Sequence, residues 1–527
     1  MRCSRCGHDN PAGYRFCGDC GLPPSATGPA PAPLLTDHHD EATRYLCAAV
    51  HFESALARIV VQNVMEEPLC AVAQSPQVDL EAVCRHAVAA RWRQAIRDGI
   101  LAVLLLGFIV YSLLPDDSSS SPLDGASELL AIPLLLLGLF GLLPYLLVVG
   151  WCVIFTEQCL ARWGSTAHTL RRDKFRRADA PRTPNDPAVE QLAHVSHYAN
   201  SNLTVYQGYN PFLGHGWSVR GWSFALDITK RQRPQDPIES FAVVDLNKRL
   251  HKRVGELDVA GINVYNRLFV NGDDIHQDGR LLPDPYGRPV AWIDDTVMTA
   301  LMDRPENNAR PYLATEIVGW DGELVWSAFV RLVLSETSLF VEMNCCVLPP
   351  LRLSFHEIDE LLLRPAPKPV LRLMGHSARI LPRTLLNCVP SVIHAMFSAP
   401  LYRRKQRRQR KQIREMRSFN HGARISIREA ASDLRRNKGD LSLGYHRYFQ
   451  FLDEQMYTKT VEKRVIEALG EFLVEHNIDP DELLRRAEQV VNNSVTFAGD
   501  ATIMNSAIGG GSATVGAPVT RGGSESH

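Results

Sequence analysis

The chain has 527 residues, three to four domain lengths on the usual scale, and a formal net charge of only −1. So balanced a charge excludes binding of a polyanion through the overall field and leaves any such role to local blocks. Of the twelve cysteines, four form a tight N-terminal set; the others are scattered in apolar surroundings, as expected of reduced thiols in a reducing compartment.

The N-terminal set is Cys3-x2-Cys6 and Cys17-x2-Cys20, each pair followed by a glycine, Gly7 and Gly21. Two such knuckles bring four thiolates together as a tetrahedron, the closed geometry of structural zinc. The glycines permit the tight turn in which backbone N–H groups reach sulfur. The stretch CSRCGHDNPAGYRFCGDCG resembles the small zinc-ribbon module found at the ends of many bacterial proteins. Pro11 to Gly13 then marks the hairpin turn, and Phe16 precedes the second knuckle. The resemblance covers residues 1–22 and implies one structural zinc held by Cys3, Cys6, Cys17 and Cys20, with no open catalytic position. A redox pair is the rival reading. Residues 23–35 are a Pro/Ala-rich linker, so the ribbon reads as a tethered knob for protein contacts. Nucleic acid is the weaker partner, because Asp9 and Asp19 offset two of its three arginines, Arg2, Arg5 and Arg15.

Residues 36–98 read as a cytoplasmic helical segment. Leu46, Val50, Leu56 and Val60 keep helical spacing, Glu66-Glu67-Pro68 marks a break, and Asp79 to Ala95 predicts a second helix. Two uncharged runs follow, Ile100 to Leu114 and Leu129 to Thr156, within a helical hairpin over 99–156 whose spans are about 99–115 and 131–155. The connector 115–128 carries four acids and no Lys or Arg, whereas arginines flank both outer ends: Arg85, Arg91, Arg93 and Arg97 before, and Arg162, Arg171, Arg172, Arg176 and Arg177 after. Basic residues stay on the cytoplasmic side. The pattern predicts a two-pass protein of the cell inner (plasma) membrane with both termini cytoplasmic. The first run is short, about 23 Å against a core of about 30 Å, and needs Arg97 to snorkel.

After a basic juxtamembrane linker, 157–187, residues 188–365 read as a cytoplasmic α+β domain. Strands are expected at 203–206, 222–228, 263–270, 313–318, 324–334 and 338–347, and helices at 188–198, 238–254 and 355–363. Two loops in it invite chemistry. Gln207 to Trp222 holds four glycines with His215 and Arg220, but it joins strand to strand, which favours a long hairpin connection over a phosphate cradle. Asn271 to Arg280 holds Asp273, Asp274, His276 and Asp278, a carboxylate and imidazole cluster that otherwise reads as a polar turn. His215, Arg220, Asp273 and His276 are thus the catalytic candidates, and no nucleophile elbow, Walker loop or His-Glu-x-x-His accompanies them.

Residues 378–418 join an amphipathic segment, interrupted by Pro390, to a polybasic run including Arg403, Arg404, Lys405, Arg407, Arg408, Arg410 and Lys411. Such a run next to a membrane anchor suits anionic headgroups at about 1 kcal/mol per cation, with nucleic acid as the competing partner. Residues 419–491 are helical: Val461, Val465, Leu469 and Phe472 form one stripe, and Asp479-Pro480-Asp481-Glu482 opens a further helix. The Gly/Ser-rich tail, 492–527, is disordered or a short oligomerisation tip. The whole reads as a multidomain membrane protein: small zinc ribbon, two-helix transmembrane hairpin, cytoplasmic α+β domain and C-terminal helices. The favoured function is a membrane-anchored interaction, sensor or scaffold module, with protein partners at the ribbon or the C-terminal helices and homo-oligomerisation open. The alternatives are a membrane-tethered enzyme with its site in 188–365, and an oligomeric channel or transport component.

Overall fold

The computed structural model describes residues 41–113, 131–164, 168–172, 174–182, 186–199, 201–361, 365–415, 418–432 and 444–492. The four ribbon cysteines, the linker 23–35, the acidic connector and the tail from 493 onward lie outside the described residues.

Helices α1 (Glu41–Phe52) and α2 (Ser54–Val60) open the described chain, and α2 runs on as a π-turn to Met65. Helix α3 (Leu80–Leu113) is unbroken, so the expected cytoplasmic helix and the first span are one element. Helix α4 (Ala131–Trp163) returns. Segments Leu80–Tyr111 and Leu143–Trp163 are long and apolar enough to cross a membrane. Their outer surfaces carry Val103, Leu106, Ile109, Tyr145 and Val148, all exposed. The polar N-terminal half of α3 instead packs with α1, which is buried from Ala42 to His51, in a helical base shared with α5 (Asp186–Ala199).

The sheet has six strands: β1 (Leu203–Tyr206), β2 (Trp217–Asp227), β3 (Ile262–Asn271), β4 (Ala309–Gly319), β5 (Leu324–Leu334) and β6 (Ser338–Leu348). Their order is β1-β3-β4-β5-β6-β2, antiparallel throughout except for the β1–β3 pair, so the sheet is mixed. Helices α6 (Val243–Gly255) and α7 (Asp295–Asp303) pack on one face. Helix α7 is absent from the sequence expectations, because its nine residues carry too little periodicity; its start is capped by Asp294, whose side chain accepts from Thr296 N–H. Strand β5 is buried on both faces and accordingly reads as a nearly continuous apolar run, with Leu324, Trp326, Ala328 and Val330 alternating with Val325, Ser327 and Phe329.

Beyond the sheet, a short turn α8 (Glu357–Glu360) precedes α9 (Pro367–Met396) and α10 (Ser398–Arg414). Helix α9 begins well before 378 and continues through Pro382 and Pro390, in place of the expected interruption. It lies along the hairpin: Leu381 and Cys388 are buried against Leu101 and Ile154, and Trp151 donates to Met374 O at 3.2 Å. Close approach is allowed at Gly150, where an added Cβ would come within 3.3 Å of Leu381. The axis then turns by 72° into α10. Helices α11 (Ile427–Ala431), α12 (Tyr448–Glu475) and α13 (Asp481–Asn492) complete the described residues. The stripe Val461, Val465, Leu469 and Phe472 of α12 is buried in the sheet's own core. Residues 188–365 and 419–491, read separately from the sequence, therefore share one core, since each such side chain contributes about 1.5–3 kcal/mol only when covered.

Candidate functional site

The structure separates the four catalytic candidates. His215 is fully buried: its Nδ1 lies 3.0 Å from Ser327 Oγ, and its ring meets Phe329 edge-on in an aromatic cluster with Phe212, Phe269 and Tyr312. Burial, and then Arg267, push its pKa down to about 3, so it is a neutral core histidine. The glycine loop around it is no open anion cradle. Gly214 and Gly216 both adopt left-handed φ, and both N–H groups donate at 2.8 Å to Glu429 Oε1 of α11. The chain's own carboxylate fills the place an external phosphate would take.

Arg220 lies on β2 beneath α12, away from His215. Its Nε is 2.7 Å from Glu462 Oε1, which also accepts from Trp222 Nε1 at 3.1 Å. About two turns earlier on α12, Glu454 sits 3.3 Å from Thr458 Oγ1, and that hydroxyl accepts from Trp326 Nε1 at 2.8 Å. Burial pushes the Glu454 carboxyl up to about 7 against the opposing pull of the Thr458 hydrogen bond and Arg220. Burial also raises Glu462, despite Arg220. Arg220 and Glu462 are paired and covered, and with the hydrogen-bonded Glu454 they pin α12 to the sheet.

Asp273 and His276 sit in the turn after β3. Asp273 Oδ2 accepts from Asn420 Nδ2 at 2.7 Å, and the His276 ring lies 5.1 Å from that of His421. The turn holds the strand-like segment Asn420–Ala423 against the β1 edge, where Ala423 bridges Tyr206. Of the polybasic residues, Arg403, Arg404, Arg407, Arg408, Arg410 and Lys411 are exposed along α10. Lys405 is turned inward, its Nζ 2.6 Å from Oε1 of buried Glu67, which also accepts from Gln409.

The feature that sequence reading missed is a cavity of about 670 Å³ where the apolar helices meet the base. Its walls are the end of α1 and the start of α2, Arg91 to Asp98 of α3, Gln158 and Arg162 of α4, the 353–361 turn and Pro369 to Ser391 of α9. Six arginines line it, Arg58, Arg91, Arg97, Arg162, Arg372 and Arg383, against four acids, Glu53, Asp98, Glu357 and Glu360. Arg97 is held by Asp98 at 2.7 Å and Glu157 at 3.3 Å, and Arg162 by Glu357 at 3.1 Å. Arg58, Arg372 and Arg383 are exposed and form no ion pair among the described residues. Leu361, Leu373, Ile380 and Phe355 supply apolar wall beside them. The flanking arginines were visible in the sequence as a topology signal; that α9 folds back to close a cavity over them was not.

Comparison with curated proteins and with solved structures returned no match. A family match does exist, and it follows the architecture. It covers residues 221–505, described as an AbeC-like domain, beginning inside β2 and taking in β3 to β6, the cavity's α9 wall and the α12 carboxylates. The hairpin and the helical base precede it. As the match spans more than half of the 527 residues, this chain belongs to the AbeC-like domain family.

Proposed function

We propose that this protein is a two-pass, membrane-anchored cytoplasmic interaction or sensor module that receives an anionic amphiphile at the membrane face of its helical base. The observation that carries this reading is the arginine-lined cavity. It lies where the charged segments of α3 and α4 give way to their apolar runs, so a headgroup there can leave its acyl chains beside the exposed apolar faces. Exposed Arg58, Arg372 and Arg383, without an ion pair among the described residues, favour an incoming anion, and apolar wall beside them suits the first methylenes. The exposed cations of α10 extend the same chemistry along the surface. In this reading both termini are cytoplasmic, the membrane is the cell inner membrane, and the zinc ribbon of Cys3, Cys6, Cys17 and Cys20 is a tethered contact knob.

The test is titration of the detergent-purified full chain with short-chain anionic phospholipid, short-chain zwitterionic phospholipid and inorganic phosphate, reading thermal stability. The anionic lipid is expected to stabilise, the zwitterionic lipid not, and phosphate only weakly. Equal stabilisation by both lipids would sink the headgroup reading, and full stabilisation by phosphate would point to a soluble anion. For the surface part, changing Arg403, Arg404, Arg407 and Arg408 to Gln should weaken binding to anionic vesicles and flatten its salt dependence; preference for nucleic acid at equal salt would overturn it. For topology, a cysteine placed at Ser119 should react with an impermeant reagent on intact cells.

A further inference from the structure

Glu323, His356 and His446 are far apart in the chain and come from three elements: the turn between β4 and β5, the turn after β6 and the segment entering α12. Folding places one ligand atom of each within 4.8 Å of the others. All three residues are half-buried.

The geometry between two of them is informative. His356 Nε2 lies 2.9 Å from Glu323 Oε1, yet that nitrogen makes no aligned hydrogen bond. A hydrogen bond of this length would need the N–H directed along the line to the oxygen. Two atoms that each reach about 2.1 Å to one ion, at an angle between about 90° and 110°, stand about 2.9–3.4 Å apart with their lone pairs aimed at the ion instead. The observed pair has that separation and lacks the alignment.

Each ligand is also held from behind. The His356 ring stacks on Tyr45 at 4.1 Å with an interplanar angle of 5°, and Tyr45 donates to Asp359 Oδ2 at 2.6 Å. Glu323 follows Trp320 and Asp321, two non-glycine residues in left-handed φ; Trp320 Nε1 donates to Asp453 Oδ2 at 2.9 Å, and Glu323 O accepts from buried Arg428 at 2.7 Å. The backbone at His446 is fixed by Gln450, whose Oε1 accepts from its N–H at 3.0 Å. Ligands fixed by independent contacts need little rearrangement to bind.

We propose that Glu323, His356 and His446 form a binding site for a first-row divalent ion of the zinc class. Two imidazoles and one carboxylate select such an ion over calcium or magnesium, and three protein ligands leave a coordination position for water or an anionic group. This is a different chemistry from the four-thiolate ribbon, whose ligands would saturate the metal. The turn that carries His356 also gives Phe355 and Glu357 to the arginine-lined cavity, which places the ion next to that wall. The site stands on its own ligands and does not depend on what the cavity binds.

The experiment is zinc content per chain of the full-length protein in detergent, after chelation and reloading with Zn²⁺, measured by mass spectrometry of the element. The background changes Cys3, Cys6, Cys17 and Cys20 to Ser, so the ribbon contributes nothing. One zinc per chain is expected there, and none after His446→Gln or His356→Gln is added. Reloading with Co²⁺ should give visible bands without thiolate charge transfer. Should a histidine variant fail to fold, Glu323→Gln, which preserves size and shape, should lower zinc affinity at least tenfold. A four-serine protein that retains no zinc, or zinc retention unchanged by a folded ligand variant, overturns the site. One zinc in both the wild type and the four-serine protein would support this site while removing the ribbon.

Discussion

Two polar regions of this protein use the same residue types to opposite ends. Beneath α12, Arg220, Glu462 and Glu454 are covered by the helix, and Trp222, Trp326 and Thr458 supply the remaining hydrogen bonds. At the base of the hairpin, six arginines line an open cavity with four acids, and only Arg97 and Arg162 of the six form an ion pair among the described residues. Desolvated charges persist only when matched, so the α12 cluster is committed to holding the fold. Hydrated surplus charge costs little stability and attracts a counter-charge, so the cavity is free to recognise a ligand.

The strongest way to break this contrast is to unpair the covered cluster. Glu462→Ala leaves Arg220 without its close carboxylate and should destabilise the sheet domain by about 3–5 kcal/mol, read by denaturant unfolding of the full chain in detergent. A loss under about 1 kcal/mol would mean that the cluster is as hydrated as the cavity.

Acidity gives the next effect. The folded state holds the Glu454 proton up to about pH 7, whereas an unfolded chain releases it near 4.5. The group's stabilisation is therefore full below the lower value and lost as pH rises through the upper one, about 3 kcal/mol across the interval. Glu454→Gln should abolish that slope and be the more stable protein at pH 8. An unchanged slope would assign the pH dependence to other groups.

In the cavity, Arg372→Gln with Arg383→Gln should leave unfolding within about 0.5 kcal/mol of wild type, since both side chains are exposed. The same change should weaken binding of short-chain anionic phospholipid about 30-fold, at about 1 kcal/mol per cation. A stability loss as large as that of Glu462→Ala would erase the distinction between the two regions.

The smallest effect belongs to Lys405, which combines both behaviours, half-exposed on α10 yet 2.6 Å from buried Glu67. Lys405→Met should loosen α10 by about 1 kcal/mol, visible as faster amide exchange over Ser398–Arg414, with little change in vesicle binding. A large loss of vesicle binding would place Lys405 with the lipid-facing cations instead.

Periodicity and charge carried much of this architecture. Alternation located all six strands, two of them, β1 and β5, to the residue, because a strand between two covered faces has to be apolar along its length. The uncharged runs marked α3 and α4 without any partner, since length and hydropathy are local properties of each run. The Asp479 cap was legible for the same local reason, and Asp479 Oδ1 accepts from Asp481 N–H at 3.0 Å. Other features depend on residues distant in sequence. Parallel pairing of β1 with β3, the return of α9 along the hairpin and the docking of α12 on the sheet each rest on which apolar face finds which, and a stripe such as Val461 to Phe472 does not name its partner. His215 looked reactive beside its glycines until Glu429, more than two hundred residues later, was seen to occupy their amides. The cavity and the Glu323, His356 and His446 cluster are further still from the sequence, because their ligating atoms converge only once separate elements have packed, and no spacing along the chain records a distance across it.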